Sequence, residues 1–135
     1  MKILMVDDSS YAMKYWVQAL RRSMRVEVRS DVKKALELFA SEAPWDGAVI
    51  DLMFDSGQEL YKDRDPSGQR TGLLLTDDLR KIQGDLKVIL LTNRANSQEL
   101  REAALRPYTK VVRKMEADPI QFTDTVVSFF GGSAP

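Results

Sequence analysis

The feature that most constrains the fold is a fivefold alternation of short apolar segments with segments of helical periodicity. The apolar segments are KILMV (2–6), RVEVR (25–29), GAVIDLMF (47–54), KVILLTN (87–93) and TKVVRK (109–114). Between them and after the last one, apolar residues recur at i, i+3, i+4 and i+7, the spacing that places side chains on one helix face. Strand followed by helix, five times, predicts an α/β fold: a parallel sheet with helices on both faces.

The composition of each strand predicts its place in the sheet. The second strand alternates apolar and charged residues, and the fifth is short and flanked by charge, so both suit an edge. The first, third and fourth are apolar almost throughout and suit the centre. With right-handed crossovers, these requirements predict a doubly wound, flavodoxin-like sheet of strand order 2-1-3-4-5.

Capping residues help to place the helices between these strands. We expect helices over 10–22, 32–43, 72–83, 98–106 and 119–130. Ser9 or Ser10 can cap the first, Asp31 the second and Asp118 the last, where proline at the next position suits the first helical turn. The expected domain therefore spans 1–131, and we expect 132–135 to be a disordered tail.

One segment exceeds what a minimal version of this fold needs. Residues 55–71 (DSGQELYKDRDPSGQRT) form an extended polar loop after the third strand. Residues 65–68 (DPSG) predict a type I turn within it. Leu60 and Tyr61 are its only large apolar residues, which predicts a mobile flap beside the site and not a packed element.

Composition excludes several classes of function. The 20 basic and 20 acidic residues balance, so no bulk charge favours a nucleic-acid or anionic membrane partner. The chain has no cysteine and no histidine, which excludes disulfides, thiolate and imidazole metal ligands, and histidine bases. The apolar run at the N-terminus is too short for a signal peptide or a membrane span. We therefore expect a cytoplasmic domain.

Three aspartates are predicted to meet where the strand order reverses. Asp7 and Asp8 follow the first strand, and Asp51 lies near the end of the third, its neighbour in the sheet. Taken singly, each suits a turn or a helix cap. Together at the ligand crevice of an open α/β sheet, they repel one another unless they bind a proton or a cation. Carboxylate oxygens suit Mg²⁺.

Two further residues complete the predicted chemistry at this edge. Thr92 ends the fourth strand and Lys114 the fifth, so a hydroxyl and an ammonium join the carboxylates. A cationic side chain, a divalent metal and a hydroxyl donor can neutralise and orient a transferring phosphoryl group. An aspartate can be the nucleophile and form an acyl phosphate.

At these positions the chain resembles the receiver domains of two-component response regulators. Asp7 and Asp8 match the family's acidic pair, Asp51 the phosphoacceptor, Thr92 the switch hydroxyl and Lys114 the essential lysine. The resemblance extends over almost the whole chain.

The resemblance implies a phosphoacceptor signalling domain that catalyses its own phosphotransfer and dephosphorylation and is otherwise not an enzyme. It implies Mg²⁺ on Asp8, Asp51 and the Met53 backbone carbonyl, with Asp7 holding the metal's water ligands. The implied donor is a histidine kinase or a histidine phosphotransfer protein. No direct nucleic-acid or membrane contact by the domain is implied, and the resemblance allows a homodimer.

Several positions differ from the usual receiver pattern. Asp55 and Met115 stand where the family usually has proline. Asn93 replaces a small residue after the switch threonine, and we expect its bulk to tune the site by restricting access to Asp51. Val111 stands at the position of the switch aromatic. Since valine has little to rotate, we expect weak coupling between the site and the face formed by the fourth helix and its flanking strands.

Two more positions are expected to tune the lifetime of the phosphoryl group. Met53 and Arg94, two residues after Asp51 and Thr92, flank the path of the attacking water in the family. Neither side chain can position that water for attack. Methionine is a poor hydrogen-bonding partner, and arginine has donors but no acceptor for a proton of the water. We therefore expect slow autodephosphorylation.

Three other functions compete with this interpretation. A degenerate receiver would use the fold for protein contacts without phosphorylation. An aspartate-based phosphatase of the haloacid dehalogenase type would need a second aspartate at position 53, which is methionine. A flavin- or nucleotide-binding domain would need a phosphate loop after the first strand, where Asp7 and Asp8 would repel phosphate without a metal.

Overall fold

The computed structural model describes residues 1–8, 13–55, 57–93, 97–114 and 118–131. Within these residues lie five strands and five α-helices: β1 (Lys2–Val6), α1 (Lys14–Arg21), β2 (Arg25–Arg29), α2 (Val32–Glu42), β3 (Gly47–Asp51), α3 (Thr71–Ile82), β4 (Val88–Thr92), α4 (Ser97–Leu105), β5 (Thr109–Arg113) and α5 (Pro119–Gly131). A short 3-10 turn spans Glu59–Tyr61. The five strands pair in parallel in the order β2-β1-β3-β4-β5, which confirms the predicted α/β topology.

The central strands alternate their side chains between two cores because successive strand residues point to opposite faces. Leu4 and Val6 of β1 face the core shared with α2, α3 and α4, whereas Ile3 and Met5 face the core shared with α1 and α5. Both faces are apolar, as expected of a parallel sheet covered on both sides. β5 lies at an edge and is only partly buried, as its composition predicts.

Two of the predicted helix caps are present. The Asp31 carboxylate accepts a hydrogen bond from the Lys34 amide (2.8 Å), and the Asp118 carboxylate accepts one from the Gln121 amide (2.8 Å). The predicted cap by Ser9 or Ser10, the predicted first turn of α1, and the tail at 132–135 lie outside the described residues. Among the helices described, none has the length and apolar character needed to cross a membrane.

The insert, defined as residues 57–71, is packed, whereas its composition predicts a segment without packed side chains. Tyr61 is 1% exposed, and its hydroxyl donates to the Asp78 carboxylate on α3 (2.6 Å). The Gln58 side chain accepts a hydrogen bond from the Val32 amide at the start of α2 (3.0 Å). The prediction was therefore wrong about packing, because one buried tyrosine and hydrogen bonds to two helices anchor the segment. Leu60, the other apolar candidate, is exposed.

A buried aspartate organises the second half of the insert. The Asp65 carboxylate, 3% exposed, accepts hydrogen bonds from the Arg70 amide (3.1 Å) and the Thr71 hydroxyl (2.7 Å). Its carbonyl accepts from the Gly68 amide (3.2 Å), so residues 65–68 form a β-turn, as predicted. A left-handed φ of 82° at Gly68 suits glycine, which lacks a Cβ. The segment thus reaches α3 with its buried polar groups bonded.

Candidate functional site

The carboxyl ends of β1 and β3 bring three aspartates together. Asp7 follows β1 directly, Asp51 is the last residue of β3, and these two strands pair in parallel. Asp7, Asp8 and Asp51 each place a carboxylate oxygen within 4.8 Å of the others. Asp7 is 1% exposed and Asp51 7% exposed, so the charges are largely withdrawn from water. The structure brings together the three acids that the sequence placed at this crevice.

Lys114 supplies the positive charge of the cluster. Its ammonium donates to the Asp7 carboxylate (2.8 Å) and to the Asp51 carboxylate (3.2 Å). Its backbone amide donates to the carbonyl of Thr92 (3.0 Å), which fixes the end of β5 against the end of β4. Thr92 is 2% exposed and lines the same cavity as Asp51 and Lys114. The topology therefore delivers both residues to the predicted place.

The electrostatics of the cluster reflect burial and like charge. Burial raises the pKa of Asp51 to about 7, against the lowering effect of Lys114 and with further raising by Asp7 and Asp8. Burial likewise raises the pKa of Asp8, although the Asp55 amide, which donates to its carboxylate (2.6 Å), opposes that rise. Burial alone would lower the pKa of Lys114, but hydrogen bonding to Asp7 and the charge of Asp51 raise it overall.

The donor set fits a hard divalent cation. Three carboxylates lie together and Lys114 pairs with two of them, so negative charge exceeds positive charge at the cluster, and a cation would relieve that excess. Oxygen ligands are those that Mg²⁺ prefers, and the sequence contains no histidine or cysteine that would favour a softer metal. The residues present therefore match the predicted Mg²⁺ chemistry.

A cavity of about 310 Å³ opens beside Asp51. Its walls come from the end of β3, the insert, the end of β4 and Lys114, namely Asp51, Met53, Phe54, Asp55, Ser67, Gln69, Thr92, Asn93 and Lys114. Met53 and Asn93, predicted as tuning residues, both line it. The sequence does not predict Ser67 and Gln69 at this site, because nothing in it shows how the insert returns to the crevice.

Of the remaining predicted positions, some lie within the described residues and others do not. Val111 is half-buried on β5 and packs against the core shared with α2, α3 and α4, the place where the resemblance expects a switch aromatic. Arg94 and Met115 lie outside the described residues, so their predicted effects stay predictions.

Similarity to known proteins is found for the structure of the chain and not for its sequence. No protein-family model matches the sequence. No curated protein matches it either.

Solved structures of receiver domains match over nearly the whole chain. A response regulator receiver domain protein from Methanospirillum hungatei is similar with a TM-score of 0.76 and 18% identity, over 96% of this chain and 93% of that one. A response regulator receiver protein from Sinorhizobium medicae gives 0.74 and 20%, over 98% and 95%. A response regulator receiver domain protein from Clostridium thermocellum gives 0.72 and 18%, over 96% and 94%. This chain therefore has the fold of response regulator receiver domains.

Proposed function

We propose that this domain accepts a phosphoryl group on Asp51 as part of a two-component or phosphorelay signalling system. The observation that carries the proposal is the shared ammonium of Lys114, which contacts both Asp7 and Asp51 at the edge of a three-carboxylate cluster. A purely structural ion pair would need one carboxylate, and the second and third create a charge excess that a bound cation would balance.

The proposed step is the transfer of a phosphoryl group between two nucleophiles. A carboxylate oxygen of Asp51 forms a bond to phosphorus while the bond between phosphorus and the donor's imidazole nitrogen breaks. The leaving nitrogen keeps the electron pair and takes a proton from solvent. The Lys114 ammonium, within 3.2 Å of the Asp51 carboxylate, stabilises charge on the transferring oxygens, and the Thr92 hydroxyl orients one of them.

The metal would be held by the acidic end of the cavity. Asp8, Asp51 and the Met53 carbonyl are the proposed ligands, and Asp7 would hold water ligands of the metal. When bound, Mg²⁺ neutralises charge on the phosphoryl oxygens and favours the deprotonated form of Asp51. Without a cation, burial holds the pKa of Asp51 near 7, so part of the nucleophile is protonated at neutral pH.

The proposed donor lies outside this chain. The sequence has no histidine, so the phosphohistidine must belong to a histidine kinase or a histidine phosphotransfer protein, or a small phosphodonor must replace it. The domain is proposed to act as a regulatory element, with its own phosphotransfer and dephosphorylation as its chemistry. Met53 and Arg94 are proposed to make dephosphorylation slow, and Val111 to make the coupling between Thr92 and the α4–β5 face weak.

Intact mass after incubation with acetyl phosphate and Mg²⁺ tests the proposal. We expect one added phosphoryl group on the unmodified protein, none on Asp51→Asn, and none on the unmodified protein when a chelator removes the metal. Asp63→Asn is the matched control, because Asp63 is exposed on the insert and does not line the cavity. Equal labelling of Asp51→Asn would disprove the assignment.

A receiver fold used only for protein contacts is the second candidate. The half-buried Val111 at the switch position favours it, because this side chain offers little to rotate in response to phosphorylation. In that case the folded, unmodified protein would remain unlabelled in the same experiment.

A further inference from the structure

The insert forms one wall of the cavity beside Asp51. Ser67 and Gln69 line the same space as Asp51, Thr92 and Lys114, although they lie 16 and 18 residues after Asp51 in the chain. Gln69 has the longer side chain of the two, and its carboxamide offers two N–H donors and one acceptor. The insert thus adds neutral hydrogen-bonding side chains to a cavity that also contains Asp51, Lys114 and Thr92.

Backbone hydrogen bonds fix both neighbours of Gln69. On one side, the Gly68 carbonyl accepts from the Phe54 amide (2.8 Å), which ties the insert to the segment that leaves β3. On the other side, the Arg70 amide donates to the buried Asp65 carboxylate (3.1 Å). Gln69 is therefore held at the cavity by its own backbone, with no rearrangement of the insert required.

The Arg70 side chain adds a third attachment. Its guanidinium forms a two-point ion pair with the Glu102 carboxylate on α4, one of whose hydrogen bonds measures 2.8 Å. Because α4 follows the β4 strand that carries Thr92, the insert is fixed against the opposite side of the crevice as well. The backbone at Gln69 therefore needs no rearrangement for binding, and the cost in conformational freedom is confined to its exposed side chain.

A phosphoryl group on Asp51 needs more donors than the charged residues supply. It would bring close to two negative charges and three acceptor oxygens into a space that already holds three carboxylates. Lys114 is the one basic side chain among the described cavity-lining residues, and it already donates to Asp7 and Asp51. An added neutral donor would therefore stabilise the phosphorylated state.

We propose that Gln69 is a phosphoryl-binding residue, whose carboxamide N–H donates to a phosphoryl oxygen on Asp51. The insert then acts as part of the phosphorylation site and prolongs the life of the acyl phosphate, because Gln69 stabilises the acyl phosphate more than the transition state in which its bond to phosphorus breaks. This inference rests on the proposed function and deepens it, because it assigns a role to a residue outside the five positions that carry the resemblance.

Beryllofluoride, which mimics a phosphoryl group on an aspartate, tests the inference without turnover. We expect Gln69→Ala to bind beryllofluoride with Mg²⁺ about fivefold more weakly, the effect of one hydrogen bond, as measured by titration with ¹⁹F NMR. Gln69→Glu should weaken binding further, because it replaces a donor with a negative charge. Gln18→Ala, the same substitution at an exposed position of α1, is the matched control and should bind as the unmodified protein does.

The lifetime of the phosphoryl group distinguishes binding from other roles. If Gln69 binds the phosphoryl group, Gln69→Ala loses it faster; slower loss would mean that Gln69 positions the attacking water and would overturn the inference. Unchanged beryllofluoride affinity in Gln69→Ala would overturn it too. Failure of the unmodified protein to bind beryllofluoride and to be labelled would instead refute the proposed function.

Discussion

Asp51 and Asp65 are both buried aspartates, and they have opposite surroundings. Asp65 accepts hydrogen bonds from the Arg70 amide and the Thr71 hydroxyl, so neutral donors of the insert stabilise its carboxylate. Asp51 faces Asp7 and Asp8 and shares one ammonium with Asp7. A buried carboxylate surrounded by donors holds a structure together, whereas one that faces other carboxylates is arranged for a ligand that the protein itself does not supply.

Substitution of Asp65 should have the largest of the expected effects, a decrease in the free energy of unfolding. Asp65→Ala leaves the Thr71 hydroxyl and the Arg70 amide without their acceptor inside the protein. We expect a loss of about 3 kcal/mol in the free energy of unfolding, measured by urea denaturation. Asp63→Ala, an exposed position of the same insert, should change it by less than about 0.5 kcal/mol. A loss below about 1 kcal/mol for Asp65→Ala would show that the insert is held by other contacts.

The affinity for Mg²⁺ should depend on the acidic cluster and not on Asp65. We expect Asp8→Asn to weaken Mg²⁺ binding roughly tenfold to a hundredfold, since even indirect partners of metal ligands have effects of that size. Asp65→Asn should leave the affinity within about a factor of two, since the Asp65 carboxylate is bonded inside the insert. Isothermal titration calorimetry measures both. Equal weakening by the two substitutions would contradict the distinction between the two sites.

The stability of the metal-free protein should depend on pH through Asp51. Its pKa is raised from 3.8 to about 7, so the folded protein holds this proton more tightly than the unfolded chain does. Its contribution to the free energy of unfolding therefore falls as pH rises from about 4 to 7. Asp51→Asn does not titrate, so we expect its stability relative to the unmodified protein to increase as pH rises from about 4 to about 7.

Denaturation curves at several pH values, with a chelator present, check this expectation. Mg²⁺ should reduce the advantage of Asp51→Asn at pH 8, because the cation stabilises the ionised carboxylates of the unmodified protein. A stability difference that does not change with pH would contradict the burial of an ionisable Asp51.

The smallest expected effect concerns the rate at which Asp51 would lose its phosphoryl group. Met53 lines the cavity, and the role of Arg94, which lies outside the described residues, rests on the receiver resemblance. We expect the double substitution Met53→Asn with Arg94→Glu to accelerate dephosphorylation roughly tenfold, a barrier change of about 1.4 kcal/mol. The decay of the phosphorylated mass after removal of the donor measures it. Loss within seconds from the unmodified protein would contradict the expected slow hydrolysis.

The fold could be predicted because its signal is local. The segments 2–6 and 25–29 were predicted as strands with the bounds that β1 and β2 have, and β4 differs by one residue at each end. β1 and β4 are apolar runs bounded by charged or polar residues, so their limits can be read from the sequence. β3 instead ends at Asp51 and not at 54, because the apolar residues continue beyond the strand. The strand order then follows from the composition of each strand, because strands with charged residues suit the edges of the sheet and apolar strands suit its centre.

The packing of the insert could not be predicted because its partners are distant. Tyr61 lies in the hydrophobic core and its hydroxyl donates to Asp78, 17 residues away. The Gln58 side chain accepts from the amide of Val32, 26 residues before it. Composition counts one tyrosine and one leucine and cannot show that the tyrosine enters the core. Nor can it show that Asp65 would be bonded by the residues that follow it.

The residues of the site also differ in whether the sequence predicts their position. Asp7, Asp8 and Asp51 were predictable because parallel strands place their carboxyl ends at one edge. Thr92 and Lys114 followed from the same rule. Gln69 was not predictable, since it reaches the cavity through the path of the insert and not through the topology of the sheet.

The insert rejoins the sheet at Gly72, and this contact limits how the protein can vary in evolution or design. A Cβ at position 72 would clash with the carbonyl oxygen of Asp51 and would lie 2.7 Å from the Cα of Leu52. Both are backbone atoms, so no change of rotamer relieves the clash. Any library of variants that keeps Asp51 in place must therefore keep glycine at position 72, in the first turn of α3.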